Sequence, residues 1–600
     1  MSFASKLIPL RRLTSTLADV GPKRLQRRIR YELRLRLDRR LPPPLALAWA
    51  GATGPQPEWC SVTAMFAGDA LVSPPMQAQP LRVVRFNFLN QERQLQAPIS
   101  WNDPQWPRLW QFHLHYFDWA RQWLDKAVRA GSWPAEASVL PPLLDSWIAS
   151  NPPGRGDGWH SYTLSLRTRN WIALFLACPA LATPERLQSL WQQLCWLQAH
   201  PEHCHGGNHW LENLTALAVG GLQFGGPQAS RMYRRAMRLL QRELMQQVLG
   251  DGGHEERSAS YHLLMLVRLA ELAHALQATT GAQPPWLVEA IDAMTKWVKL
   301  VRLYSGEAPR FNDSAADTAP PLDAVLAFAT APQQQRSASA GDPLSQEAIS
   351  DLPDTGWTFL RPGHGWELVF KCGVPCPKHL PPHVHSDQLS FELCHQGRWL
   401  LSEAGTSVYG NGPERVYERS GASHNVLQLG VETPSGAVRW IEPIDVWGGF
   451  RAGRKAQPRE RACGKSNGGV YFAAGSHSGF DHIGASHHRR VTLSDPKPSQ
   501  ISLHLVDTVI APIPLHVRQW WHLGPEVRQE LLEPLLFDAP SLAGAQTSWH
   551  TTWFAKGFGQ RLPRQSLCFS GSLPAGKHQL SSSVSFSLHQ PTSKVCRASG

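Results

Sequence analysis

FATAPQQQRSASAGDPLSQEAISDLPDTG, residues 328–356, is where the chain changes character. It is rich in Ala, Ser, Gln, Pro and Asp and carries no hydrophobic period, which reads as a linker over 328–355. Upstream, PERLQSLWQQLCWLQAH (184–200), QASRMYRRAMRLLQRELMQQVL (228–249), SASYHLLMLVRLAELAHALQ (258–277) and PWLVEAIDAMTKWVKLVRLY (285–304) place apolar residues at i, i+3, i+4 and i+7. That spacing predicts amphipathic helices. GGPQ, GDGGH and GAQPP punctuate them, so helical hairpins in a toroid or solenoid are expected. Downstream, WTFLRPGHGWELVFKCG (357–373), HNVLQLG (424–430), ISLHLVDTVI (501–510) and RQWWHLG (518–524) are short alternating runs bounded by turn residues. They predict an antiparallel sandwich. Helices followed by strands, without alternation, exclude a doubly wound sheet and give a multidomain α+β class.

Composition narrows the function classes. At 600 residues with a 42% apolar fraction, more than one core is expected. The 25 Trp either fill those cores or stack on sugar rings. Residues 1–40 hold twelve Lys or Arg against three Asp or Glu, leaving only +3 of the net +12 for the rest of the chain. KRLQRRIRYELRLRLDRR (23–40) therefore reads as a basic arm. It suits an anionic membrane surface or an export partner, or packs as a solvated helix on its own domain. No nucleic-acid module follows it. The ten Cys form no CxxC pair, which argues against a disulfide framework. No secretory h-region or long apolar run is visible. A cytoplasmic or membrane-peripheral location is favoured, with the periplasm as the alternative.

Four constellations carry chemistry. In HLPPHVHSDQLSFELCHQGRWLLSEAG (379–405), His383, His385 and Asp387 fall at two-residue spacing. A strand would turn them to one face. Two imidazoles with Asp387, Glu403 and His424 as candidate completions suit zinc or catalysis. In HCHGGNHWLEN (203–213), Asn208, His209, Glu212 and Asn213 cluster at a helix start, where Asn208 is also a natural N-cap. In DGGHEERSASYHLLMLVRLAEL (251–272), Tyr261 and His262 fall in the first turn of a helix, whose dipole favours phenolate. In NPPGRGDGWHSYTLSLRTRNWI (151–172), Arg155 and Trp159 read as an acidic-glycan subsite or as a Gly-Pro loop packed by Trp.

These motifs resemble, in order and spacing, those of the heparinase II/III-like proteins. GGNHWLENLTALAVGGLQF is similar to their NHxxxN helix, and GGHEERSASYHLLMLVRLAEL to their catalytic-tyrosine segment. HVHSDQLSFELCHQGRWLLSEAGTSVYGNGPERVYERSGASHNVLQLG is similar to their HxHxDxLSFEL stretch. FNFLN, LWQFHLHYFDW and NPPGRGDGW resemble a bacterial branch linked with exopolysaccharide. The resemblance implies an N-terminal incomplete (α/α) toroid, a C-terminal antiparallel β-sandwich and β-elimination at uronic-acid glycosides. The resulting domains are an arm and lead-in at 1–80, the toroid at 81–327, the linker at 328–355 and the sandwich at 356–600. The resemblance also implies that Asn208 or His209 neutralises the substrate carboxylate, with Glu212 and Asn213 in support; His262 is a candidate substrate-binding residue beside Tyr261. Tyr261 would be the acid and a candidate base, and His383 the base or its assistant. His385, Glu403 and His424 would hold zinc, although the family more often has Asp where this chain has Glu403. Two other readings stay open: a glycoside hydrolase pairing Glu212 with Glu255 or Glu256, and a non-catalytic glycan-binding protein of exopolysaccharide assembly.

Overall fold

The computed structural model describes residues 3–52, 56–60, 76–78, 83–96, 98–130, 133–334, 347–532 and 535–588. Parts of the expected lead-in (61–75) and linker (335–346) lie outside the described residues. The helical half is built on three inner helices, Ser161–Ala177, Gly207–Gln223 and Ala259–Thr280, which are buried along nearly their whole length. Gly207–Gln223 packs between the other two. Gly226–Gln247 and Pro285–Val301 back them from outside and bury one face each. Gly221 permits the tightest of these approaches, since a Cβ there would stand 2.7 Å from the Tyr233 nitrogen. The arrangement is an incomplete (α/α) toroid.

Fully buried inner helices need partners for their polar side chains. Glu212 accepts from Arg169 Nη2 at 2.6 Å and from Arg268 Nε at 2.9 Å. Glu271 accepts from Arg121 Nη1 at 2.6 Å and also bonds Arg169. Burial would raise the Glu271 carboxyl, but Arg268, Arg121 and Arg169 outweigh it and hold its pKa at about 2. The folded value lies below the ordinary 4.5, so the stabilisation is complete above about pH 4.5 and is lost as pH falls toward 2. Glu271→Gln is expected to cost about 3–5 kcal/mol in denaturant unfolding at neutral pH and to flatten the acid limb of the stability profile. An unchanged unfolding midpoint would remove this network from the account of the fold.

Among the described residues the sandwich domain contains three large antiparallel sheets and a two-stranded one, Val446–Trp447 with Arg451–Ala452. The first orders Ile349–Leu352, Trp357–Gly363, Trp366–Lys371, Phe391–His395 and Arg398–Leu401. A bridge from Leu401 to Leu523 joins it to a second, whose centre is Leu515–His522. A six-stranded sheet, including Ser486–Lys497, Gln500–Ala511 and Gly576–Ser587, packs opposite. The first sheet is a middle layer. Its Phe370, Phe391 and Leu393 enter the core shared with the six-stranded sheet, whereas Trp357, Phe359 and Val369 enter the core of the toroid. With both faces covered, Trp366–Lys371 and Phe391–His395 are buried at every position. Within the expected linker 328–355, residues 328–334 continue the helix Leu322–Gln334 and Ile349–Leu352 is a strand.

The stretch 383–390 is a loop, not the strand that its alternation predicts. Leu389 has φ 61°, and the turn closes through Ser390 N to Asp387 O at 3.2 Å. The His383–His385 backbone pairs instead with the toroid side: Asp313 N donates to His383 O at 3.1 Å, and His385 N to Asn312 Oδ1 at 3.3 Å. Asp387, a candidate completion of a zinc site, forms an ion pair with Lys371 at 2.6 Å and accepts from Asn312 N at 3.2 Å.

The basic arm is the helix Phe3–Asp38, broken at Gly21, where φ is 71°. It docks on both domains. Arg12 pairs with Asp445 at 2.8 Å and Asp19 with Lys455, both on the sandwich side. Tyr31 lies 3.5 Å from Ser161 Oγ, and Asp38 2.7 Å from His200 Nε2, on the toroid. Among the described residues no helix is long and apolar enough to cross a membrane.

Candidate active site

The site forms where the starts of two inner helices meet the 379–425 loops of the sandwich. Its hub is Asp313, which lies in the connection between the helices Pro285–Val301 and Leu322–Gln334 and is fully buried. Asp313 Oδ2 accepts from His383 Nδ1 at 2.9 Å, and Oδ1 from His385 Nε2 at 2.9 Å. Arg415 Nη2 donates to Oδ2 at 2.7 Å, and Thr406 Oγ1 to Oδ1 at 3.1 Å. Burial opposes its charge, but Arg415, His383 and His385 hold its carboxyl well below the usual range. The two-residue spacing of His383 and His385 thus brings both rings to one carboxylate.

With Nδ1 donating to Asp313, His383 keeps Nε2 as its basic nitrogen. Nε2 lies 3.5 Å from Glu256 Oε2, and the ring packs on Tyr261 with centroids 3.8 Å apart. Tyr261 is the third residue of its helix, which Ser258 caps. Its hydroxyl lies 2.9 Å from the Tyr409 hydroxyl. Burial, then the neighbouring Tyr409 and Asp313, push the Tyr261 phenol well above its usual value. The helix dipole favours phenolate, but burial and these neighbours outweigh it, and the phenol stays protonated.

Asn208 faces the same place through Glu256. Its backbone N donates to Glu256 Oε1 at 2.8 Å, and its Nδ2 lies 3.0 and 2.9 Å from the two carboxylate oxygens. Asn208 Oδ1 is buried without a partner. His209 stacks on Tyr162, centroids 4.4 Å apart, and bonds Glu202 at 3.1 Å. Burial would lower its pKa, but Glu202 outweighs it and the net shift is upward. The His209 side chain remains 40% exposed. Asn213 supports Glu202, donating from Nδ2 to Ser165 Oγ at 3.0 Å and accepting from Glu202 N at 2.7 Å.

Several expected residues lie elsewhere. Glu212 is sealed between Arg169 and Arg268, so it forms no hydrolytic pair with Glu255 or Glu256 and touches no cleft. His262 is buried against Trp297, bonding Met294 O at 3.1 Å. Trp159 packs between Trp147 and Trp196, and Arg155 donates to Leu41 O at 2.9 Å. The Gly-Pro loop is therefore packing, with a Cβ at Gly154 reaching 2.5 Å from Trp196. Asp313, Tyr409, Arg415 and Glu202 were not singled out from sequence. Only the polar run RFNDSAAD (310–317) after an apolar helix hinted at Asp313.

His385, Glu403 and His424 are neighbours beneath this layer. Glu403 bonds His424 Nδ1 and Ser390 Oγ, and the His385 and His424 rings are 5.4 Å apart. His385 Nδ1 and His424 Nε2 are buried without partners. Two orphaned imidazole nitrogens beside a carboxylate fit the donor chemistry of zinc. Among the described residues, however, no group of three or more His, Cys, Asp or Glu stands in a ready metal-holding arrangement.

A toroid closed on a sandwich, with tyrosine, histidine and asparagine side chains between them, is a two-domain architecture with its candidate site at the junction. The heparinase II/III N-terminus matches residues 82–330, and the heparinase II/III-like C-terminal domain matches 345–583. The chain belongs to the heparinase II/III-like family. It is 24% identical over 383 residues to FtsZ-localized protein C of Caulobacter vibrioides, covering 63% of this chain and 62% of that protein. It is 24% identical over 333 residues to heparin-sulfate lyase of Bacteroides thetaiotaomicron, covering 48% and 47%. The matches thus span less than two thirds of either relative. Among solved structures, heparinase III superposes with TM-score 0.65 at 17% identity, over 82% of this chain and 80% of that one. Heparan sulfate lyase HepC from Pedobacter heparinus superposes with TM-score 0.52 at 18% identity, over 84% and 80%. These likenesses establish the fold.

Proposed function

We propose that the protein is a polysaccharide lyase that cleaves a uronic-acid-containing acidic polysaccharide by β-elimination. The observation that carries this reading is the Asp313–His383–Tyr261 arrangement: an oriented imidazole stacked on a phenol kept neutral by burial. His383 Nε2 would take the C5 proton. The electron pair forms C4=C5 as the C4–O4 bond breaks, and Tyr261 protonates the departing O4, with Tyr409 beside it to return a proton. His209 and Asn208 would stabilise the carboxylate as it gains enolate character. Tyr261 serves as acid rather than base in this scheme. The heparin-sulfate lyase named among the relatives supports the same class.

Zinc belongs to the proposal through His385, Glu403 and His424. Bound there it would organise the loops, because elimination needs no water nucleophile. A second reading, glycan binding without turnover in exopolysaccharide assembly, draws on Glu256. That carboxylate already engages the Asn208 amide that a uronate would use.

A lyase assay over a panel of acidic glycans, with metal analysis of the same preparation, tests both. The expected result is ultraviolet absorbance of an unsaturated uronate on one glycan class, with about one zinc per chain and a lower Tm after chelation. New reducing ends without that absorbance would indicate hydrolysis. Tight binding without turnover, in wild type and in Glu256→Gln alike, would establish the second reading instead.

A further inference from the structure

The docked arm leaves one face uncovered. Tyr31 and Asp38 turn inward and are buried. Ile29, Leu33 and Leu37, spaced one helical turn apart, turn outward at 51, 54 and 61% exposure. On the next helix, Pro43–Trp49, Leu45 and Trp49 are likewise exposed, at 59% and 70%. Lys23, Arg27, Arg30, Arg34, Arg36 and Arg40 are exposed around it. The acidic residues of 22–40 are Glu32 and Asp38, and Asp38 faces the toroid. Exposed aliphatic side chains at helical spacing, an exposed Trp nearby in sequence and a surplus of exposed cations match the boundary between acyl chains and anionic headgroups.

From this we infer that the outward face of 23–49 seats the protein on an anionic lipid bilayer, independently of any lyase activity. A nucleic acid would use the cations but not the exposed leucines. A second copy would bring like charge against like charge. The inward contacts to Ser161 and His200 mean that the helix is presented already folded, so little ordering opposes binding.

Co-sedimentation of the full chain with vesicles tests this, comparing phosphatidylcholine alone with phosphatidylcholine plus phosphatidylglycerol. Binding is expected only to the mixed vesicles and is expected to weaken with salt. Ile29→Ser/Leu33→Ser/Leu37→Ser should reduce it on the order of a hundredfold. Arg27→Glu/Arg30→Glu should reduce it about tenfold or more. These side chains are exposed, so Tm should not move; if the serine variant does lose Tm, the charge reversal alone decides. No binding to the mixed vesicles, equal binding to both, or variants that bind like wild type would overturn the inference. So would a dimer in analytical ultracentrifugation that the serine variant abolishes.

Discussion

Tyr261→Phe is expected to lower kcat/KM on the cleaved glycan by about 10²–10⁴-fold while Tm moves by no more than the loss of one hydrogen bond. The ring of Phe can keep the 3.8 Å packing on His383, so the imidazole stays in place. What disappears is the hydroxyl that meets Tyr409 at 2.9 Å, the proton that would go to O4. Tyr409→Phe should be milder, because it removes the proton's resupply and not its delivery. The contrast is the test: a Tyr409 variant that is the more damaged of the two would exchange the roles. Turnover unchanged in both would remove phenolic acid catalysis from the scheme.

How much of this was readable in the sequence depends on the range of the interactions. The division at 328–356, the inner helices and the sandwich follow from local periodicity, which is a property of each segment alone. Tyr261 and His383 could be singled out as candidates because both lie in motifs with a local signature. Asp313 was missed because its partners, His383 and Arg415, are 70 and 102 residues away, and nothing local announces them. The strand expected at 383–390 failed for a related reason. Alternation promises that two rings can reach one target, and they do, but the target is a carboxylate from the other domain and not a sheet face. Glu212, Trp159 and His262 mark the opposite error. A polar or aromatic residue near a site motif reads as a ligand contact, whereas inner helices of a toroid must also satisfy polar groups among themselves. Only the count of buried partners distinguishes the two.

That long-range dependence makes Asp313→Asn the most disruptive single change expected. The carboxylate serves His383, His385, Thr406 and the fully buried Arg415 at once. Removing its charge strands a guanidinium away from water, which costs about 3–5 kcal/mol in unfolding measurements. It also frees the His383 ring to adopt the other tautomer, so turnover should fall by about 10²–10⁴-fold. The two effects can be separated, because they pass through different partners. Adding Arg415→Met should recover part of the stability, since both members of the buried pair are then gone. It should recover none of the activity, since His383 Nδ1 would still face an amide, which can donate as well as accept, and not the carboxylate that keeps Nε2 basic. A double variant that regains turnover along with stability would make Asp313 a structural residue only. A single Asp313→Asn variant as stable as wild type would mean that Arg415 finds another partner, and that the ion pair is not what holds the sandwich loops against the toroid.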